Sequence, residues 1–225
     1  WIAAMLRAVN LSTDPEFVES AGRYLDLDTF VAHVAAEEFL AEWDGLMGDT
    51  GTTNFYFYRR RADDRGVVLV WDKEAALTSV DWSVWRNTER NAVMRRLLAI
   101  PQYRQRFLET LAAAAEVAGG ENGWLAQEAE RQIEQIRQAA LEDPYPLCED
   151  GVPGSGCQTE EREKAWGKVR EFAAGRQAAV ETMLAEVGYS RPGNAIRAGS
   201  VTLIGSTQVR LAPGAIARVD WPNAS

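Results

Sequence analysis

Apolar positions recur with helical spacing along most of the chain, and polar residues suited to helix ends interrupt them. The spacing predicts helices over residues 1–9, 16–21, 29–43, 89–99, 101–118, 123–141 and 160–187. The helix over 29–43 has Asp28 as its predicted N-cap and is apolar around most of its circumference. A helix of that kind lies inside a protein rather than on its surface.

Between the third and fourth helices the pattern changes to strands. An aromatic run over 55–58 and an aliphatic run over 67–71 flank the turn sequence Ala62-Asp-Asp-Arg-Gly66, which predicts a β-hairpin over 54–74. Short strands are also predicted near the end of the chain, over 201–204, 208–211 and 216–221. The expected fold class is therefore α+β: a mainly helical domain over 1–190 with one hairpin, followed by a small β-rich tail over 191–225.

Three polar residues border these apolar elements where the hairpin meets the helix before it. Asp44 is expected to close the helix over 29–43, Asn54 to open the first strand and Asp72 to end the second. An acid at a helix C-terminus is disfavoured by the helix dipole unless another group requires it. Two carboxylates and an amide at one end of a hairpin are suited to holding a hard cation or a phosphoryl group.

Composition narrows the possible partners. The 225 residues are 46% hydrophobic and 25% charged, as in ordinary globular proteins, and carry a net charge of −9. That charge disfavours nucleic acid and anionic membrane surfaces, although it permits a nucleotide bound through a divalent cation. No apolar run reaches the length of a membrane span, and there is no signal peptide. Because the chain begins at Trp1, it is expected to be a piece of a longer protein.

The two cysteines lie in a loop rich in proline and glycine. Cys148 and Cys157 have a spacing that suits a disulfide, which favours an extracytoplasmic compartment; two free surface thiols are the alternative. One histidine and two cysteines are too few clustered ligands for a zinc site.

Several other residues have competing interpretations. His33 is expected to be a satisfied core or boundary histidine. Arg176 interrupts an apolar stripe, so it either reaches solvent or pairs with a buried carboxylate of the site. Asp49-Thr50-Gly51 resembles the tripeptide of aspartic proteases, but it lacks a preceding apolar strand and a second copy, so it is interpreted as a loop bordering the site. Trp43 and Trp71 either form a dry wall around a metal or are packing residues.

Five sequence motifs, taken in order, resemble the CotH (spore-coat protein H) kinase family over residues 1–187. They are an aspartate-capped helix start, a Trp-Asp pair, an Asn-aromatic-Tyr strand, a Trp-Asp-x-acid strand end and a Phe-x-x-x-Arg helix. These motifs occupy residues 25–30, 42–44, 54–58, 70–74 and 172–176.

The resemblance implies a kinase-like C-terminal lobe with the hairpin carrying the site. It implies that Asp44 orients or deprotonates the acceptor hydroxyl, while Asn54 and Asp72 hold Mg²⁺ or Mn²⁺ against the phosphates of ATP. Glu74 takes the place of the second aspartate in the family's strand-end pattern, and Thr53 stands where the family often has lysine. The family's nucleotide-binding N-terminal half is missing from these residues and is the first expected partner.

The resemblance also implies a function. The expectation is a secreted or cell-surface kinase lobe that transfers the γ-phosphate of ATP to Ser or Thr of extracellular proteins, and that is inactive on its own. The alternative is a non-catalytic surface protein that keeps the kinase-like fold for adhesion or assembly, an alternative motivated by Glu74, Thr53 and the β-rich tail.

Overall fold

The computed structural model describes residues 1–143 and 159–189, and side chains from 163 onward in the second range. Residues Trp1–Tyr189 form one compact unit. The described residues contain seven helices and two strands: α1 (Ile2–Leu11), α2 (Phe17–Gly22), α3 (Leu27–Phe39), β1 (Phe55–Arg59), β2 (Gly66–Val70), α4 (Ala92–Leu98), α5 (Pro101–Ala118), α6 (Trp124–Glu142) and α7 (Thr159–Glu186). The predicted fold class, mainly helical α+β with one hairpin, is confirmed.

Helix α5 is the centre of the core. It packs against α3 on one side and against α7 on the other. Phe107 and Leu111 of α5 are fully buried, as are Val31 and Val34 of α3 and Val180 of α7. These side chains belong to one continuous apolar cluster, so α3 is held on a rigid support.

Helix α3 is buried as its composition predicts, but both of its ends differ from the prediction. Asp26, rather than Asp28, is the N-cap, and its carboxylate accepts a hydrogen bond from the N–H of Thr29 at 3.2 Å. The helix ends at Phe39 rather than at 43. Ala41 then takes a left-handed backbone conformation with φ 53°, which the α-helix cannot accommodate.

The hairpin is the only sheet among the described residues, and it is fastened to the start of α3. β1 and β2 are antiparallel, with Phe57 opposite Val68 on the face toward the core. At the turn end, the N–H of Asp26 donates to the carbonyl of Gly66 at 3.0 Å, and Arg60 pairs with the Asp26 carboxylate at 2.7 Å. A Cβ on Gly66 would lie 2.0 Å from the ring of Phe57, so this close approach requires glycine.

The remaining helices follow the prediction with shifted ends. α4 begins at Ala92 rather than at 89, because the side chain of Asn91 caps it by accepting from the N–H groups of Val93 and Met94 at 3.0 and 3.1 Å. Gly188, with φ 73°, follows α7 as expected of a glycine at a helix end. The cysteine loop and the predicted strands after 200 lie outside the described residues.

Candidate functional site

Two chain segments lie side by side at the open end of the hairpin: residues 40–53, which follow α3, and residues 71–78, which follow β2. The N–H of Leu77 donates to the carbonyl of Leu40 at 2.7 Å, and the N–H of Trp43 donates to the carbonyl of Ala75 at 3.4 Å. The prediction that Asp44 closes a helix is wrong, because α3 ends at Phe39. Asp44 instead lies in an irregular loop, where the helix dipole gives no reason for its position.

Asp44 and Asn54, which are ten residues apart, are in direct contact. The side-chain amide of Asn54 donates both to the carboxylate Oδ2 and to the backbone carbonyl of Asp44, each at 2.9 Å. Asn54 itself has a left-handed backbone with φ 53°, which asparagine tolerates better than most residues. This conformation turns the chain into β1 and places the amide against Asp44.

Two threonines complete the surroundings of the Asp44 carboxylate. Its Oδ1 accepts hydrogen bonds from the hydroxyls of Thr50 and of Thr53, the latter at 3.0 Å. These two bonds, together with the bond from Asn54, hold the pKa of Asp44 below its ordinary value, so the carboxylate is ionised at neutral pH. A carboxylate offers about four acceptor positions, and the three donors leave one on Oδ2 for another hydroxyl.

Asp72 and Glu74 form a second acidic group on the neighbouring segment. The Asp72 carboxylate next to Glu74 raises the pKa of Glu74, and the charge of Asp44 raises that pKa further. Both side chains are exposed. Asp72 has a left-handed backbone with φ 50°, directly after Trp71 and the end of β2.

Lys73, between these two acids, points the other way and joins the site to α3. Its ammonium Nζ lies 2.6 Å from the carboxylate of Glu37 and donates to the backbone carbonyl of Asn54 at 3.0 Å. Glu37 also accepts from Nε2 of His33 at 3.1 Å and from the N–H of Leu46 at 2.9 Å. His33 is therefore a satisfied partner of Glu37, as expected, whereas the buried pairing of Glu37 with Lys73 was not predicted.

The pKa of Glu37 shows the strength of these contacts. Burial alone would raise the pKa of this carboxyl, but the hydrogen bonds from His33, Lys73 and Leu46 outweigh burial and bring it below the ordinary value. Glu38, the next residue, has the opposite shift. Burial and the charge of Glu37 raise the pKa of Glu38 well above its ordinary range, although Trp82 donates to its carboxyl at 3.3 Å.

Arg176 is fully buried, and neither interpretation of it from the sequence is correct. Its guanidinium donates to the carbonyls of Glu38 and Phe39 at 2.6 and 2.8 Å. It also donates to the carbonyls of Val80 and Trp82, at 2.6 and 2.8 Å. It neither reaches solvent nor makes a direct carboxylate contact. It connects α7 to the end of α3 and to the segment after the hairpin.

The aspartate of the protease-like tripeptide has a structural role. Asp49 forms a two-bond ion pair with Arg86 at 2.7 and 2.6 Å and accepts from Asn87 at 2.9 Å. These bonds fasten the loop that borders Asp44. Trp43 and Trp71 are 40% and 52% exposed, so they do not form a dry wall within the described part of the chain.

The donors at the site fit a hard divalent cation in type. Asp72 and Glu74 supply carboxylates, and Asn54 supplies an amide oxygen that accepts no hydrogen bond within the described residues. No three His, Cys, Asp or Glu side chains converge as a metal cage anywhere in residues 1–143 and 159–189. Magnesium does not need such a cage, because it is usually bound by one or two carboxylates, waters and substrate phosphates.

The structure thus brings Asp44 to Asn54 directly, and places Asp72 and Glu74 where the charge of Asp44 affects Glu74. Within the described residues, no helix is long and apolar enough to cross a membrane. Among curated proteins of established function, none matches this sequence. A family model described as "CotH kinase protein" matches residues 1–180, which include every motif considered above. The chain belongs to the CotH kinase family.

Proposed function

We propose that this protein is a secreted or surface-attached protein kinase that transfers the γ-phosphate of ATP to Ser or Thr hydroxyls of extracellular or coat proteins. Residues 1–190 would act as its C-terminal lobe, with a nucleotide-binding half of the same domain as their partner. Family membership supports phosphoryl transfer in general. The observation that supports the specific site is the contact of Asn54 with Asp44 next to the Asp72–Glu74 pair.

Asp44 has the chemistry of an orienting group. Because its pKa is lowered, it is ionised, and its free acceptor position takes the hydrogen bond of a substrate hydroxyl. The hydroxyl oxygen then bonds to the γ-phosphorus while the bond from that phosphorus to the β–γ bridging oxygen breaks, and ADP departs. The hydroxyl proton moves to Asp44 and from there to water. Positioning of this kind is most of what phosphoryl transfer requires from a protein.

The residues that would hold a divalent ion are Asn54, Asp72 and Glu74. Bound Mg²⁺ or Mn²⁺ would neutralise charge on the nucleotide phosphates. The raised pKa of Glu74 supports this assignment, since two carboxylates in contact favour any cation that separates their charges. Glu74, one methylene longer than the family's aspartate, retains the charge.

The test is phosphate labelling by the full-length protein with ATP labelled at the γ position. Asp44→Asn and Asp72→Asn should each abolish labelling, because one loses the orienting charge and the other a metal ligand. Asp64→Asn is the matched control, since Asp64 is an exposed acid at the turn end, paired only with Arg59 among the described residues. Labelling that survives Asp72→Asn in a folded protein would disprove the mechanism.

A non-catalytic role in adhesion or assembly is the competing function. The departures at Thr53 and Glu74 favour it, but Thr53 still anchors the Asp44 carboxylate through its hydroxyl. Calorimetry on the full-length protein separates the two functions. Tight Mn-ATP binding supports the kinase, and no binding supports the scaffold. The extracytoplasmic location is tested separately by mass spectrometry of the native protein, which should find Cys148 joined to Cys157.

A further inference from the structure

The outward face of the hairpin carries aromatic rings that no described element covers. Tyr56 and Tyr58 of β1 lie on this face with Leu69 of β2 and with Trp71 just after it. Tyr56 is 54% exposed, Tyr58 51% and Trp71 52%. The opposite face packs on the core through Phe57 and Val68, so the exposure of the outward face is not due to a poorly packed hairpin.

Two of these rings form a pair. The centroids of Tyr56 and Trp71 are 4.8 Å apart, with their planes tilted by 60°. Tyr56 lies opposite Leu69, so Trp71 is its diagonal neighbour across the ribbon. The tilt leaves each ring with an open face at an angle to the other, which makes a notch one flat ring wide.

The position of this notch relative to the site is fixed by the chain. Asn54 is two residues before Tyr56, and Asp72 directly follows Trp71. Two residues of a strand span about 7 Å. The aromatic pair is therefore about one sugar-phosphate length from the groups proposed to hold the metal and the phosphates.

We infer that Tyr56 and Trp71 form the stacking platform for the base of the nucleotide whose phosphates are held at Asn54 and Asp72. This inference rests on the proposed function and adds the base-binding part of its site. Flat π-faces attract any nucleobase by stacking, and exposed aromatics close to a phosphate site meet that requirement. Leu69, next to the pair on the same face, supplies an apolar floor.

The experiment compares two probes by calorimetry on the full-length protein: Mn-ATP, and Mn-tripolyphosphate, which lacks base and sugar. Tyr56→Ala and Trp71→Ala should each weaken ATP binding about tenfold, the effect of losing one stacked base, and leave tripolyphosphate binding unchanged. Tyr56→Phe and Trp71→Phe should keep ATP binding near the wild-type value, because the ring remains.

Tyr58→Ala is the matched control, since Tyr58 has the same ring, the same face and a similar exposure but lies two residues farther from Asn54. It should leave ATP binding unchanged. The inference is wrong if the two alanine variants bind ATP normally, if they lose both probes equally, or if Tyr58→Ala loses as much as they do. If the wild type binds tripolyphosphate as tightly as ATP, the platform fails and the phosphate site stands. If the wild type binds neither probe, the proposed function fails with it.

Discussion

The buried ion pair between Lys73 and Glu37 gives the sharpest test of how the site is supported. Their side chains are 17% and 6% exposed, and their charged atoms are 2.6 Å apart. Lys73→Met would leave the Glu37 carboxylate buried without its cation. Removing one partner of a buried pair costs about 3–5 kcal/mol. Because Glu37 keeps its bonds from His33 and Leu46, the expected loss in unfolding free energy is at the lower end, about 3 kcal/mol.

The assay is urea unfolding at neutral pH, followed by thermal unfolding. A loss of about 3 kcal/mol corresponds to a fall in Tm of about 6–12 °C for a unit of this size. The loss should also depend on pH. Glu37 has a lowered pKa, so its stabilising contribution is present above the ordinary value of 4.5 and disappears as the pH falls through the lowered value. The difference between Lys73→Met and the wild type should therefore shrink below about pH 4.5.

A double-mutant cycle with Glu37→Gln isolates the pair itself. The combined variant should be more stable than the sum of the two single losses predicts, by about 1–3 kcal/mol, because neither charge is then stranded. Lys168→Met is the control, since Lys168 is exposed on α7 and makes no ion pair within the described residues; it should change stability by less than about 0.5 kcal/mol. A Lys73→Met variant as stable as the wild type, or a coupling energy near zero, would refute the reasoning.

Three further predictions concern single groups. Glu38→Gln should cost less than about 1 kcal/mol, and its stability relative to the wild type should improve above pH 4.5, because burial raises the pKa of Glu38 and its ionisation then opposes folding; unfolding curves from pH 4 to 8 test this, and a constant difference would contradict it. Asn91→Ala should lower stability by about 1 kcal/mol through loss of the α4 cap, and Asn91→Asp should retain it. Arg86→Met should return the carboxyl of Asp49 from a pKa of about 2 toward its ordinary value of 3.8 in an NMR titration; an unchanged midpoint would show that Asn87 alone sets it.

The parts of the fold that local chemistry specifies could be predicted from the sequence. The hairpin has strand-forming runs on both sides of a turn sequence, and its register keeps Phe57 and Val68 inward. The end of α3 could not be predicted in this way. No glycine or proline follows Phe39, and the apolar pattern continues to Trp43. The helix stops where Arg176, 137 residues later, takes up the carbonyl of Phe39, and this long-range contact has no local signal.

The site was predicted to a similar extent. Asp44, Asn54 and Asp72 were chosen because polar residues bordered apolar runs, and the structure places the first two in contact. Glu37 looked like an ordinary polar position in a helix, because its partner Lys73 comes from a segment beyond the hairpin. A buried acid of this kind can be recognised from sequence only when its distant partner is already known.

The last turn of α3 explains why residues so far apart in the chain occur together in one family pattern. Lys73 holds Glu37 from the hairpin side, and Arg176 holds the carbonyls of Glu38 and Phe39 from the α7 side. A cation at a helix C-terminus satisfies carbonyls that the helix leaves open and opposes its dipole. The loop that carries Asp44 begins at this doubly fixed point, so its starting position is determined by groups that do not touch the substrate. Loss of Arg176 should therefore move Asp44 as well as lower stability, whereas loss of an exposed residue of α7 should do neither.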